Sequence, residues 1–355
     1  MRKIFALIFL FFTVFCWSKD SDDIDDLLFL FNSGKEDVAL NKAEKILSDD
    51  SYSKKTKYNV FVILNEFYYQ KRNFILALDN AKKMVAFEPD NAYGYFRAGD
   101  ALLSLHKQIE ACEYISKSIE LDPSQPKCHL ARGIAKYELF KEKYINNKKN
   151  TEKNETYYEE LDNVLDDFLT EIKIDNNCYY SRYMAGFLIC FYMDENIKCF
   201  KELTESAIYL LNTAIEIKPN FINSYFVLAS LYGSVKYLDL EKCYQNANKY
   251  IELIEESKKN PEKKIEKLKE FDDLIDRMYF LRGEYYRKKE KYELALKDYD
   301  VALSINPSRG IYYFNKIKIY RILSKDANEK DKKRYETLIK ENMKLLKEKD
   351  PDFNK

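Results

Sequence analysis

Histidine is scarce in this 355-residue chain, which contains only two, and so are the motifs that build catalytic sites. The sequence has no His-Glu-x-x-His, no Cys-x-x-Cys, no glycine-rich phosphate loop and no Gly-x-Ser-x-Gly elbow. Carboxylates are abundant, but without such partners they are typical of solvated helix faces. We therefore predict that the protein is not an enzyme and binds no metal and no cofactor.

The chain also lacks an excess of charge of either sign. Lysine and arginine together number 59, as do aspartate and glutamate, so the formal net charge is zero. Nucleic-acid binding leaves a basic footprint, which is missing here, and we expect no nucleic-acid partner. Only eight glycines and seven prolines are present, which leaves little room for long loops.

Small, aromatic and proline residues recur with a spacing of 34 residues. In the stretch 276–309 they stand at positions four, eight, eleven, seventeen, twenty, twenty-four, twenty-seven and thirty-two, as Tyr279, Gly283, Tyr286, Tyr292, Ala295, Tyr299, Ala302 and Pro307. The stretches 58–91 and 92–125 repeat the pattern, and their prolines Pro89 and Pro123 are 34 residues apart. This pattern closely resembles the tetratricopeptide repeat.

The resemblance implies an all-α fold. We expect an α-solenoid, a right-handed superhelix of about eight tetratricopeptide-like helical hairpins, over residues 20–350. The stretch 141–157 is polar and without a helical period, and it predicts an insertion that forms a solvated hairpin tip. A docking loop is the alternative interpretation of that stretch.

The amino-terminal residues 1–18 have a different character. Arg2 and Lys3 precede the apolar run Ile4–Phe15, which is shorter than the roughly 20 residues that a stable membrane span needs. This stretch resembles a bacterial secretory signal peptide. Cleavage near Ser18, lipidation of Cys16 and an uncleaved anchor all stay open. We expect an exported protein, either periplasmic or a membrane-anchored lipoprotein, whose other cysteines are mostly reduced core thiols.

The resemblance also indicates a binding face. In tetratricopeptide proteins, positions two, five, nine and twelve of the first helix line the concave inner surface. The candidate partner-binding residues at these positions are Glu66, Tyr69, Tyr93, Phe96, Asp100, Leu130, Tyr183, Phe187, Phe226, Phe280, Glu284 and Phe314. The lysine, asparagine and arginine residues with which some family members clamp a partner's carboxylate are missing here. The alternative is that some of these aromatic rings pack between neighbouring repeats.

These features favour a protein–protein interaction scaffold, which binds an extended segment or a helix of its partner in the concave groove. The acidic candidates Glu66, Asp100 and Glu284 would favour partners with basic residues. The alternative function is an envelope assembly factor, such as a lipoprotein involved in outer-membrane protein assembly. Lipidation of Cys16 would favour that alternative, and the sequence does not identify the partner.

Overall fold

The computed structural model describes residues 19–146, 153–192, 200–234, 238–260 and 268–353. Within these ranges the chain forms sixteen α-helices and no β-strand. It divides into two compact units, Met1–Asn176 and Asn177–Lys355. The expected signal segment, residues 1–18 with Cys16, lies outside the described residues. None of the described helices combines the length and the apolarity that crossing a bilayer requires.

The first unit contains four helical hairpins, made by consecutive pairs of helices. Their bounds are α1 Lys19–Asn32, α2 Glu36–Ser48, α3 Lys54–Gln70, α4 Phe74–Phe87, α5 Ala92–Ser104, α6 Gln108–Leu121, α7 Cys128–Lys141 and α8 Glu155–Ile174. Asparagine and serine side chains begin several of these helices. Asn73, for example, accepts a hydrogen bond from the backbone N–H of Leu76 and so satisfies a donor at the start of α4.

The second unit contains four further hairpins. Their helices are α9 Tyr179–Tyr192, α10 Phe200–Ile217, α11 Ile222–Tyr232, α12 Leu240–Lys259, α13 Leu268–Lys288, α14 Tyr292–Ile305, α15 Gly310–Leu323 and α16 Glu329–Lys349. The described residues therefore hold eight hairpins in all. The prediction of an all-α solenoid of about eight helical hairpins is confirmed.

The first helices of two hairpins carry an Arg-Gly pair, Arg132-Gly133 on α7 and Arg282-Gly283 on α13. Packing explains the glycine of each pair. A Cβ at Gly133 would lie 3.0 Å from the ring of Phe168, and one at Gly283 would lie 2.7 Å from the ring of Tyr299. Each glycine thus lets an aromatic ring of the second helix reach the backbone of the first. Arg282 pairs with Asp298 of α14 through two hydrogen bonds, of 2.9 and 2.8 Å. In both hairpins, the Arg-Gly pair therefore combines a close approach of the two helices with an ion pair from the arginine to an aspartate of the second helix.

The insertion predicted at 141–157 is helical over much of its described part, while Lys153 and Asn154 are not in a helix. After α7 the chain continues as a π-helical segment, Glu142–Asn146, and α8 already begins at Glu155. The ring of Tyr144 is buried, with ring centroids 5.0 Å from both Phe140 and Tyr157. The lack of helical structure expected here is wrong for Glu142–Asn146, because Tyr144 follows Phe140 by four positions and joins the same helix face. Apart from Lys141, Tyr144 and Tyr157, the described residues of the stretch are exposed, in keeping with a solvated stretch. Residues 147–152 lie outside the described ranges.

Candidate partner-binding faces

In the first unit, the first helices α3 and α5 are joined across their predicted inner positions. The hydroxyl of Tyr69 on α3 donates to Asp100 Oδ1 on α5 at 3.1 Å. It also lies 3.0 Å from the hydroxyl of Ser104. Burial raises the pKa of Tyr69 and also that of Asp100. Two of the predicted site residues therefore contact each other directly.

Arg97 lies at the centre of this polar cluster. Its Nη2 donates to Glu66 Oε2 at 2.8 Å, and its Nη1 donates to Asp100 Oδ2 at 3.3 Å. Its guanidinium carbon also lies 4.8 Å from the ring centroid of Tyr69. One cation thus faces two carboxylates that the sequence had suggested as attractors of basic partners. The cluster keeps a net charge of minus one rather than minus two.

Arg97 was missed at the sequence level, because it stands at position six of its repeat rather than at an inner position. Its Nε donates to Asn65 Oδ1 at 2.6 Å. Asn65 occupies the position at which Gly99 and Gly133 stand in the next two repeats. The amide Nδ2 of Asn65 donates to the carbonyl of Ala77 on α4 at 2.7 Å. The sequence signal for this polar cluster was therefore Asn65, a polar residue at a position where the next two repeats have glycine.

The aromatic candidates of the first unit differ in exposure. Tyr93 is half-buried and its ring centroid lies 6.3 Å from that of Phe96. Phe96 is only 7% exposed and packs in a core cluster with Leu102 and Ala131. Leu130 is half-buried, and its backbone N–H donates to Glu171 Oε2 at 3.2 Å. Phe96 therefore packs between helices and does not present a free ring.

In the second unit, Tyr183 and Phe187 of α9 are half-buried and stack on each other, with ring centroids 5.8 Å apart. Phe226 of α11 is only 9% exposed, and its ring centroid lies 6.2 Å from that of Tyr250. For Phe226, as for Phe96, the structure supports the alternative of packing between helices. The expectation of an open aromatic surface at these two positions is corrected accordingly.

The later first helices carry the remaining candidates. The half-buried Phe280 of α13 has ring centroids 5.8 and 5.1 Å from those of Tyr299 and Tyr312. Glu284 receives a hydrogen bond from Arg287 at 2.7 Å and another from the hydroxyl of Tyr299.

Phe314 of α15 is half-buried, and Lys318 Nζ lies 4.2 Å from the centroid of its ring. The carboxylate of Glu284 on α13 is paired with Arg287, as those of Glu66 and Asp100 are paired with Arg97 in the first unit. Contact of a partner with any of the twelve candidates stays a prediction.

A second buried charge cluster lies inside the hairpin α7–α8. Asp167 is 1% exposed and receives Arg132 Nη2 and Lys136 Nζ, each at 2.7 Å. His129 Nδ1 lies 3.3 Å from the same carboxylate. Burial opposes ionisation of Asp167, but the bonds from Arg132 and Lys136 outweigh it and hold its pKa below the ordinary value. We interpret this cluster as a structural link between the two helices of the hairpin.

Within the part of the chain that the structure describes, no group of three or more histidine, cysteine, aspartate or glutamate residues could hold a metal ion. The described cysteines are unpaired thiols, namely Cys112, Cys128, Cys178, Cys190 and Cys243.

Comparison with known families decides how the repeated hairpins are classified. The family model for the tetratricopeptide repeat matches residues 92–125 and 276–309. The chain carries tetratricopeptide repeats. The first match spans the hairpin α5–α6, and the second spans most of α13 together with α14. No curated protein matches this chain.

Solved structures share the fold of these tetratricopeptide repeats. PilF of Pseudomonas aeruginosa matches with a TM-score of 0.52 at 11% identity, over 75% of this chain and 99% of that chain. The C-terminal part of a TPR repeat-containing protein from Cytophaga hutchinsonii matches with a TM-score of 0.51 at 13% identity, over 81% of this chain and 97% of that chain. At these identities the likeness shows the fold alone.

Proposed function

We propose that this tetratricopeptide protein is a non-enzymatic scaffold, which binds an extended segment or a helix of a partner protein on the inner positions of its first helices. The observation that carries the proposal is the recurrence of half-buried aromatic rings at these positions within each unit. The rings belong to Tyr69, Tyr93, Tyr183, Phe187, Phe280 and Phe314. Such rings bring much apolar area to an interface at low entropic cost, and they commonly anchor interfaces.

The charge pairing of the first helices shapes this proposal. Arg97 balances one of the carboxylates of Glu66 and Asp100, and Arg287 pairs with Glu284. Attraction of basic partners is therefore weaker than the count of acidic residues implies. In the proposed complex, burial of the aromatic rings contributes most of the affinity.

A photo-crosslinking experiment tests the binding face. Benzoylphenylalanine is placed at Tyr93, at Phe187 or, as the control, at Tyr209, which is 67% exposed on the second helix α10. We expect the first two positions to crosslink one discrete partner from cell-envelope extract, while the control does not. Equal crosslinking from Tyr209, or none from either inner position, would refute binding on this face.

We also propose that the protein is exported, on the basis of the sequence of residues 1–18. Mass spectrometry of the native protein tests this. A start at Cys16 with attached lipid supports the envelope assembly alternative, and a start near Lys19 without lipid supports a periplasmic scaffold. An intact Met1 on cytoplasmic protein would contradict export.

A further inference from the structure

Consecutive hairpins within a unit meet through the second helix of one and the first helix of the next. Position three of the repeat lies at this contact. Cys128 Sγ on α7 lies 3.3 Å from Ser118 Oγ on α6. A Cβ at Gly94 on α5 would lie 3.3 Å from Met84 on α4. The residues at position three are buried in five repeats, as Val60, Gly94, Cys128, Met278 and Tyr312.

Helix α1 carries an exposed aspartate at position three. Ala39 is the position-twenty alanine of the first hairpin, as Ala77 is of the second, so position three falls on Asp22. The other side of α1 packs on α2 and α3 in a core cluster in which Leu27 is fully buried. Phe29 is 62% exposed, although it is a large apolar side chain. We call the exposed side of α1 the acidic face, formed by Asp22, Asp25, Asp26 and Phe29.

Helix α16 has an exposed side of opposite charge. It is the second helix of the last described hairpin, and Leu346 packs on α15 in a cluster with Ile317. Within each unit a first helix packs beside the second helix that precedes it, and among the described residues α16 has no such neighbour. We call its exposed side the basic face, formed by Lys340, Met343, Lys344 and Lys347. Both faces have the same helical spacing, with members three, four and seven residues from the first.

Charge of opposite sign is concentrated on these two helices, although the chain as a whole has none in excess. Helix α1 contains one basic and five acidic residues, a net charge of minus four, and α16 contains eight basic and five acidic residues, a net charge of plus three. Asp26 is paired with Lys42 at 2.6 Å. Lys344 is paired with Glu348 at 3.8 Å, and the exposed Glu336 lies near the basic face. Among the described residues, the other charged groups of the two faces form no ion pair, namely Asp22, Asp25, Lys340 and Lys347.

We propose that the basic face of α16 binds the acidic face of α1 in a second copy of this chain, which continues the contact of consecutive hairpins from one copy to the next. Consecutive helices run antiparallel, because short turns join them. With the same geometry between copies, Asp22 lies opposite Lys347. Phe29 lies opposite Lys340, whose apolar stem covers the ring. The registers agree, because each face extends over seven residues, or about 10.5 Å.

Two different faces meet in this contact, so the association is head-to-tail and produces chains of copies. A polar outer face also keeps the terminal hairpin of a repeat array soluble. Solubility alone requires neither charges of opposite sign on the two faces nor an exposed phenylalanine beside aspartates. The inference goes beyond the proposed function, because it involves none of the inner positions at which a partner would bind.

Sedimentation velocity of the purified protein over a wide concentration range tests the association. It should weaken as ionic strength rises from about 0.05 to about 0.5 M, because salt screens exposed charge pairs. The acid-end variant is Asp22→Lys/Asp25→Lys, and the base-end variant is Lys340→Glu/Lys347→Glu. Each should raise the dissociation constant by about tenfold or more, since like charges then face each other. The four side chains are exposed, so the melting temperature should stay close to that of the native protein.

The decisive variant combines the four substitutions in one chain, because it restores opposite charges on the two faces. Its dissociation constant should return to within about threefold of the native value. The control is Asp162→Lys/Asp166→Lys on the exposed side of α8, which changes the net charge as much as the acid-end variant and should leave association close to native. A carbodiimide crosslink from Asp25 to Lys344 should join isotope-labelled to unlabelled chains, which locates the contact between copies.

Three outcomes overturn the inference: a protein that stays monomeric at every concentration, association that neither charge reversal weakens, or a combined variant that does not associate. Equal weakening by Asp162→Lys/Asp166→Lys also overturns it, because the effect would then come from net charge. The proposed function is judged separately, since a monomeric protein that crosslinks its partner from Tyr93 or Phe187 would still be a scaffold.

Discussion

Removal of the Asp298 carboxylate should strongly destabilise the hairpin α13–α14. Asp298 is 4% exposed and receives both Nε and Nη2 of Arg282, while Nη1 of Arg282 donates to Asn248 at 2.9 Å. In Asp298→Ala the guanidinium stays largely buried without its counter-ion. The free energy of unfolding should therefore fall by about 3–5 kcal/mol, the range found when one partner of a buried pair is removed.

The matched control removes both charges. In the double variant Arg282→Met/Asp298→Leu no charge is left buried and unpaired, and stability should return to within about 1–2 kcal/mol of the native value. A large part of the loss in the single variant is thus a penalty for the orphaned arginine. The pair also contributes the orientation of α14 against α13, which the double variant keeps only through apolar packing.

The measurement is urea unfolding followed by far-UV circular dichroism, since the only tryptophan, Trp17, belongs to residues 1–18. Repeat proteins open locally, so hydrogen exchange of α13 and α14 should report the loss more directly than the global transition. A loss below about 1 kcal/mol in Asp298→Ala would match an exposed ion pair. That result would refute the reasoning from burial.

Three further predictions follow from burial and charge. In urea unfolding, Phe226→Ala should lower the free energy of unfolding by about 3–5 kcal/mol. Phe187→Ala should lower it clearly less, because Phe187 is only half-buried, and equal losses would contradict this difference in packing. Because Asp167 has a lowered pKa in the folded protein, its contribution to stability is complete above the unfolded value of about 3.9 and is lost as pH falls through the folded value. Asp167→Asn should therefore flatten the acid limb of urea midpoints measured from about pH 6 to about pH 2, and an unchanged slope would count against the ion cluster. Burial raises the pKa of Cys190 and of Cys243 to about 12, so both should resist iodoacetamide at about pH 8 until urea unfolds the chain. Alkylation of the folded protein at the rate found for the unfolded chain would show that these thiols are accessible.

The hairpins could be predicted from sequence because their landmarks are steric requirements. Gly283 allows the ring of Tyr299 to approach the first helix, and Ala295 is fully buried where the helices meet. Because larger residues do not fit at such positions, the small residues keep a recognisable spacing in the sequence. Three of the eight described hairpins, α3–α4, α5–α6 and α13–α14, therefore follow directly from the 34-residue spacing.

The exposure of the inner positions could not be predicted in the same way. Position five of each first helix is expected on the inner side, yet Phe96 and Phe226 are covered by their neighbours while Phe280 is half-buried. The residues that pack against each ring decide its exposure, and they lie on other helices, as Ala131 does for Phe96 and Tyr250 for Phe226. Arg97 illustrates a second limit, because its bond to Glu66 joins residues 31 positions apart in sequence. Tyr144 shows a third, since one aromatic residue within an otherwise exposed polar segment packs against Phe140 and Tyr157.

Asn65 bridges two neighbouring hairpins of the first unit. Its amide is bonded to the carbonyl of Ala77 on α4 and its oxygen to Arg97 on α5, so one side chain of α3 holds three helices together. Flexing of the second hairpin against the third must break these bonds as well as the bond from Arg97 to Glu66. At the following joint Gly99 offers no such side chain, and Ser118 of α6 takes over the role: its hydroxyl donates to the carbonyl of Ala92 on α5 and lies 3.3 Å from Cys128 Sγ on α7. Consecutive joints of the first unit are therefore each bridged by one polar side chain, from the first helix of a hairpin at one joint and from the second helix at the next.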